Sequence, residues 1–194
     1  DFFSRGVYDR NRTFYTTISP SMDILISSNL ERLLYSVCGS DTEVAGYMAE
    51  LAGTGRYEVS DAVKAVIGKH FVGGYCSDDE TKSAINKVYT ENGYLMDTHT
   101  AVAYNKLAAY RKDTGCVTPA VVVSTASPYK FCNSVLQALG QESDAPGTEL
   151  IEKLSEVTKT AIPKPLKGLD KREKRFELVV DKPEMKATVA DFLK

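Results

Sequence analysis

Three hydroxyls fall within four positions, Ser124, Thr125 and Ser127, between the run Val121-Val122-Val123 and Pro128. A β-branched run apolar on both faces predicts a strand buried on both sides of a sheet. Ser127 before Pro128 is the order of an N-cap and a first helical residue, so a helix is expected through Phe131, Val135 and Leu136 to a stop at Gly140. In open α/β sheets ligands sit beyond the carboxyl ends of the strands, where a helix N-terminus adds spare N–H groups. The hydroxyls serve equally well as plain caps of a turn. A second pair, Asp97 and His99, could do acid–base work, because a carboxylate can orient an imidazole. At a helix entrance, however, an N-cap Asp with a His packed on the first turn explains the pair without chemistry, and that reading is preferred. His70 stands alone before an apolar segment and is read as structural, so no Ser/His/Asp constellation follows from two such histidines.

These groups need elements to hold them, and the chain predicts mostly helices. Ser28-Asn29-Leu30-Glu31 has the form of a capping box, opening a helix that carries Leu33, Leu34 and Val37 and ends at Gly39. A second helix starts at Asp41 with Val44, Tyr47, Met48 and Leu51 on one face. Gly53-Thr54-Gly55 lacks the strand, third glycine and lysine of a phosphate loop and reads as the exit of that helix. Ser60 caps a short helix to about Gly68. Ser77-Asp78-Asp79-Glu80 is another capping box, opening a helix to Asn92-Gly93. Tyr94-Leu95-Met96 is expected as a short buried strand or turn, and a helix follows from Asp97. An amphipathic helix is expected over 147–160, a proline-broken connector over 161–168 and a solvated charge run at Lys171-Arg-Glu-Lys-Arg175. Phe176 to Val180 is expected as a strand, and a last helix from Glu184 to Leu193.

The fold class expected is therefore α/β, rich in helix, with too few strands to surround Val121–Val123: an incomplete sheet. The 194 residues are enough for one unit with a real core, and the net charge of -2 steers the chain toward neither nucleic acid nor an anionic membrane. No apolar run approaches the roughly 20 residues of a membrane span. Cys38, Cys76, Cys116 and Cys132 form no Cys-x-x-Cys pair, so no zinc site is expected and reduced thiols in a cytoplasmic protein are. The start at Asp1-Phe2-Phe3, without Met, reads as a cut from something longer.

Three stretches together resemble the C-terminal half of threonine synthase. They are Ser19-Pro-Ser-Met-Asp-Ile-Leu-Ile-Ser-Ser-Asn-Leu-Glu-Arg-Leu-Leu34, Gly93-Tyr-Leu-Met-Asp-Thr-His-Thr-Ala101 and Val122-Val-Ser-Thr-Ala-Ser-Pro-Tyr-Lys-Phe131. The resemblance implies a fold-type II pyridoxal-phosphate enzyme, of the tryptophan-synthase-β group, converting O-phosphohomoserine and water to threonine and phosphate. Residues 1–194 would be a single fragment of its large catalytic domain, with the N-terminal half as the missing partner. The family's Schiff-base lysine and its phosphate-holding glycine loop precede the matched region, so the chain alone is expected to be inactive and prone to self-association. The resemblance aligns Thr125 with the hydroxyl that meets the cofactor's pyridine nitrogen, with Ser124 as the rival. It leaves Arg5, Arg32 and Lys130 as chemically able to hold the substrate phosphate. The family often has Pro where Thr98 stands and His where Ser127 stands, so no imidazole acts at position 127. The alternative from another class is a non-catalytic interaction or oligomerisation domain. A nucleotide-binding α/β domain is disfavoured by the incomplete glycine fingerprint.

Overall fold

The computed structural model describes residues 2–173 and 175–194, so Asp1 and Lys174, the latter inside the expected charge run, lie outside it. Two apolar cores divide the helices between them. The first gathers α1 (Phe2–Arg5), β1 (Val7–Asp9), α2 (Leu30–Cys38), α3 (Asp41–Gly53), β2 (Arg56–Glu58) and α4 (Asp61–His70) around Leu34, Tyr47, Leu51, Tyr57, Val63 and Ile67. The second gathers α5 (Asp78–Asn92), α6 (Thr98–Thr114), α7 (Cys132–Ala138) and α8 (Glu149–Thr158) around Ile85, Met96, Ala101, Val135, Leu136 and Leu154. A terminal helix, α9 (Met185–Phe192), buries none of its residues.

Local chemistry sets most helix ends. Ser40, Ser60 and Ser77 each accept from the amide three residues on, and Ser77 with Glu80 completes the reciprocal capping box expected of them. The same bonds hold the Glu80 carboxyl below its ordinary range. At Gly93 (φ 68°) α5 ends in the left-handed conformation that a side chain resists, and the chain turns straight into Leu95 and Met96. Leu95 and Met96 are buried as expected, though in an irregular segment that is neither the expected strand nor a turn.

Several expectations fail. The box at Ser28–Glu31 does not form: α2 begins at Leu30, and the Asn29 side chain makes no cap bond because its Oδ1 accepts from Arg32 Nη2. Val121–Val123 is extended but is no strand; Val121 is 89% and Val123 67% exposed. A strand is defined by its ladder partners, and the described residues bring none alongside it. Phe176–Val180 likewise runs extended and exposed, outside any sheet. The strands that do exist pair antiparallel, with Tyr8 opposite Tyr57 and their rings stacked at 5.4 Å. At three residues each they are too short to leave a period in the sequence. The result is a helix-rich unit whose sheet is two short strands remote from Val121–Val123.

Candidate functional site: the entrance of α6 and the hydroxyl turn

The site is built on the buried N-terminus of α6. Asp97 is fully buried and caps the helix, its Oδ1 accepting from the amides of His99 (2.9 Å) and Thr100 (3.3 Å). Its Oδ2 accepts from the Thr100 hydroxyl in a very short contact. His99 Nδ1 lies 3.2 Å from Asp97 Oδ1, and the Ser21 amide donates to His99 Nε2 at 3.2 Å. A ring nitrogen that accepts from an amide carries no proton, so the imidazole is the neutral tautomer with its hydrogen on Nδ1, pointing at the carboxylate. The ring packs on Phe131 at 4.8 Å. Both nitrogens are thus occupied, and the preferred structural reading of Asp97 and His99 holds. Sequence reasoning missed the two contacts that extend the cap: Ser21 to His99, and Thr100 Oγ1 to Ser124 Oγ at 3.2 Å. They span 78 and 24 residues, and no local pattern encodes them. His70, the other histidine, is exposed in the last turn of α4.

Two loops therefore meet at this helix entrance. The first, 17–23, closes on itself through Asp23, which accepts from the Thr17 amide and hydroxyl. It is tied to α5 by the Ile18 amide donating to Asp78 Oδ1 at 3.1 Å. The second is the hydroxyl turn. Ser127 caps a 3-10 helix, Pro128–Phe131, by accepting from the Tyr129 amide. That helix runs into α7, and the chain reverses at Gly140 (φ 72°). The expected N-cap and first helical proline are in place, with a 3-10 turn where a plain α-helix was expected. Tyr129 anchors the turn from below: it is 5% exposed, and its hydroxyl donates to Thr160 O at 2.8 Å.

Ser124 and Thr125 fall out differently. Both are exposed, but the Ser124 hydroxyl bonds α6 through Thr100, whereas the Thr125 hydroxyl makes no hydrogen bond among the described residues. Of the basic candidates, Arg32 bonds Asn29 within its own helix start and borders an open groove with Asp41 and Met48. Lys130 is exposed with Nζ 5.6 Å from the Phe131 ring, and Arg5 is exposed on α1. The structure brings none of the three into the Asp97 hydrogen-bond network among the described residues. No group of three or more His, Cys, Asp or Glu is placed to hold a metal among the described residues, and no helix there is long and apolar enough to cross a membrane. The four cysteines are free. Burial pushes the Cys132 thiol up to about 11, while hydrogen bonds from Thr118 lower that of Cys116.

A helix-rich unit with a bare valine-rich segment beside a hydroxyl turn leading into a helix has the parts expected above of a stretch of an α/β pyridoxal-phosphate enzyme. The comparisons with known proteins name that enzyme class. The family model "Threonine synthase, C-terminal" matches residues 100–190. The threonine synthase of Saccharomyces cerevisiae is 32% identical over 195 aligned positions, 92% of this chain and 36% of that protein. Human threonine synthase-like 1 is 39% identical over 142 residues, 72% of this chain and 19% of that protein. Among solved structures, yeast threonine synthase superposes with a TM-score of 0.81 at 29% identity, covering 99% of this chain and 39% of that one. A PLP-bound threonine synthase from Brucella melitensis gives 0.65 at 34% identity, covering 83% of this chain and 33% of that one. The chain belongs to the threonine synthase family and corresponds to its C-terminal part. It spans well under half the length of these relatives.

Proposed function

We propose that this chain is the C-terminal part of a cytoplasmic, pyridoxal-phosphate-dependent threonine synthase, a carbon–oxygen lyase that forms threonine and phosphate from O-phosphohomoserine and water. The observation that carries the reading is the match of nearly the whole chain, in sequence and in three dimensions, to yeast threonine synthase. The chemistry pyridoxal phosphate supplies when bound is an electron sink for loss of phosphate from Cγ and addition of water at Cβ. The donor set of the turn fits that group at one point. Thr125 offers an exposed hydroxyl with no partner among the described residues, as a pyridine nitrogen requires. Thr125 Oγ1 would donate its hydrogen to that nitrogen and so orient the ring. A neutral hydroxyl, unlike a carboxylate, does not hold a proton on the nitrogen and leaves a milder sink. Ser127 and Tyr129 do not touch the ring; they set the turn that carries Thr125. No residue of this chain stands in the context of the family's cofactor-bonding lysine, so the N-terminal half supplies it.

A second reading, a non-catalytic interaction domain, draws on the mammalian relatives that carry the name threonine synthase-like 1. One experiment separates the two. O-phosphohomoserine is incubated with the full-length enzyme and, separately, with this chain, and threonine and phosphate are both measured. The proposal expects equal amounts of both from the full-length enzyme and neither from the chain alone. Cofactor binding by the full-length enzyme without either product supports the second reading.

A further inference from the structure

The contact between Thr100 and Ser124 does more than close a gap between two segments. A hydroxyl has one proton, and Thr100 gives its own to Asp97 Oδ2, a carboxylate and the stronger acceptor. The hydrogen between Thr100 Oγ1 and Ser124 Oγ, 3.2 Å apart, therefore comes from Ser124. Ser124 is itself exposed, but its hydroxyl is committed to a threonine 3% exposed and, through it, to a carboxylate that is fully buried. Its neighbour Thr125 is left facing out. The turn then has an anchor on each side: Ser124 before Thr125, and the Tyr129 hydroxyl on Thr160 after it. The same carboxylate, through His99, also receives the Ser21 amide, so one buried group reaches both loops at the site.

We propose that Asp97, Thr100 and Ser124 form a positioning relay that fixes which face of the 124–127 turn is presented, so that Thr125, and not Ser124, meets the cofactor. The inference rests on the proposed role of Thr125, but the relay is a property of the polypeptide and is readable without cofactor. In this relay Ser124 is a positioning residue. Thr100→Val removes the hydroxyl at nearly constant volume, Thr100→Ser keeps it, and Ser124→Ala removes the far end at an exposed position. All three are made in the full-length enzyme, together with the Thr100→Val/Ser124→Ala double variant.

Two readouts decide the matter. In cofactor-free enzyme, hydrogen exchange of the Tyr129 and Lys130 amides, which Ser127 holds through its hydroxyl and its carbonyl, should quicken about tenfold in Thr100→Val and in Ser124→Ala, the loss of one hydrogen bond, and return near the parent rate in Thr100→Ser. In the loaded enzyme, the dissociation constant for pyridoxal phosphate should rise about tenfold in each single variant and no further in the double, because both remove the same link. The pH dependence of the bound cofactor's absorbance should stay that of the parent, since Thr125 is intact. Unchanged exchange in Ser124→Ala, or losses that add in the double variant, overturn the relay. So does a shift of the absorbance profile in Ser124→Ala like that of Thr125→Ala, which would make Ser124 the ligand. If the parent enzyme binds no pyridoxal phosphate, the proposed function fails, while the exchange measurement still decides the relay.

Discussion

Replacing Asp97 with Ala removes an acceptor that serves four donors in a fully buried place. Loss of an N-cap side chain costs about 1 kcal/mol. The Thr100 hydroxyl can turn toward Ser124, but His99 Nδ1–H, in a ring already fixed by Ser21 and Phe131, is left with only the Thr98 hydroxyl at 3.4 Å. A buried donor without a good partner costs roughly 1–3 kcal/mol, so the total for Asp97→Ala is about 2–4 kcal/mol. Asp97→Asn is milder. Asn is as good a cap as Asp, its Oδ1 still accepts from the two amides, and its Nδ2 can donate to Thr100 Oγ1; about 1 kcal/mol is expected from the lost charge assistance. The assay is native-state hydrogen exchange, following the opening free energy of the first turn of α6 at the His99 and Thr100 amides. The asymmetry between Ala and Asn is the signature of a cap joined to a network. Equal losses in the two variants, or a loss under about 1 kcal/mol in Asp97→Ala, would refute the reasoning.

Three more outcomes follow from burial and ionisation. Cys116, with its thiol lowered by Thr118, should react with iodoacetamide near pH 8 well before Cys132, whose thiol is raised by burial; equal rates would contradict this. Raising the Cys132 value from 9.0 to about 11 means that between these pH values only the unfolded thiol ionises, so stability is lost as pH rises through that window, by on the order of 2–3 kcal/mol. Unfolding measured across the window should lose that slope in Cys132→Ala, and an unaltered slope would count against it. The chain alone exposes Val117, Val121, Val179 and Leu193 by 82–91%, and it should self-associate at working concentrations. A compact, cooperative monomer by light scattering would contradict that.

What was legible in the sequence was local. Asp41, Ser60, Ser77 and Asp97 placed the starts of α3, α4, α5 and α6, and Gly39 and Gly93 the ends of α2 and α5, because a cap is a contact across a few residues. Where a nearby side chain competed, as Arg32 did for Asn29, the same punctuation misled. The valine run was read as a strand with two covered faces, yet it forms no strand and is exposed, because no described segment pairs with it. Of the site, the Asp97 cap and the Ser127–Pro128 turn were visible. The bonds that join them, Ser21 to His99 and Thr100 to Ser124, depend on how distant segments pack, and periodicity is silent about that.

The account turns on a neutral hydroxyl at Thr125 meeting the pyridine nitrogen. The most direct measurement is the nitrogen-15 chemical shift of labelled pyridoxal phosphate bound to the full-length enzyme, alongside Thr125→Asp. The account predicts a ring nitrogen that is unprotonated near neutral pH in the parent and protonated in Thr125→Asp. A protonated nitrogen in the parent, or a shift unmoved by Thr125→Asp, would contradict it.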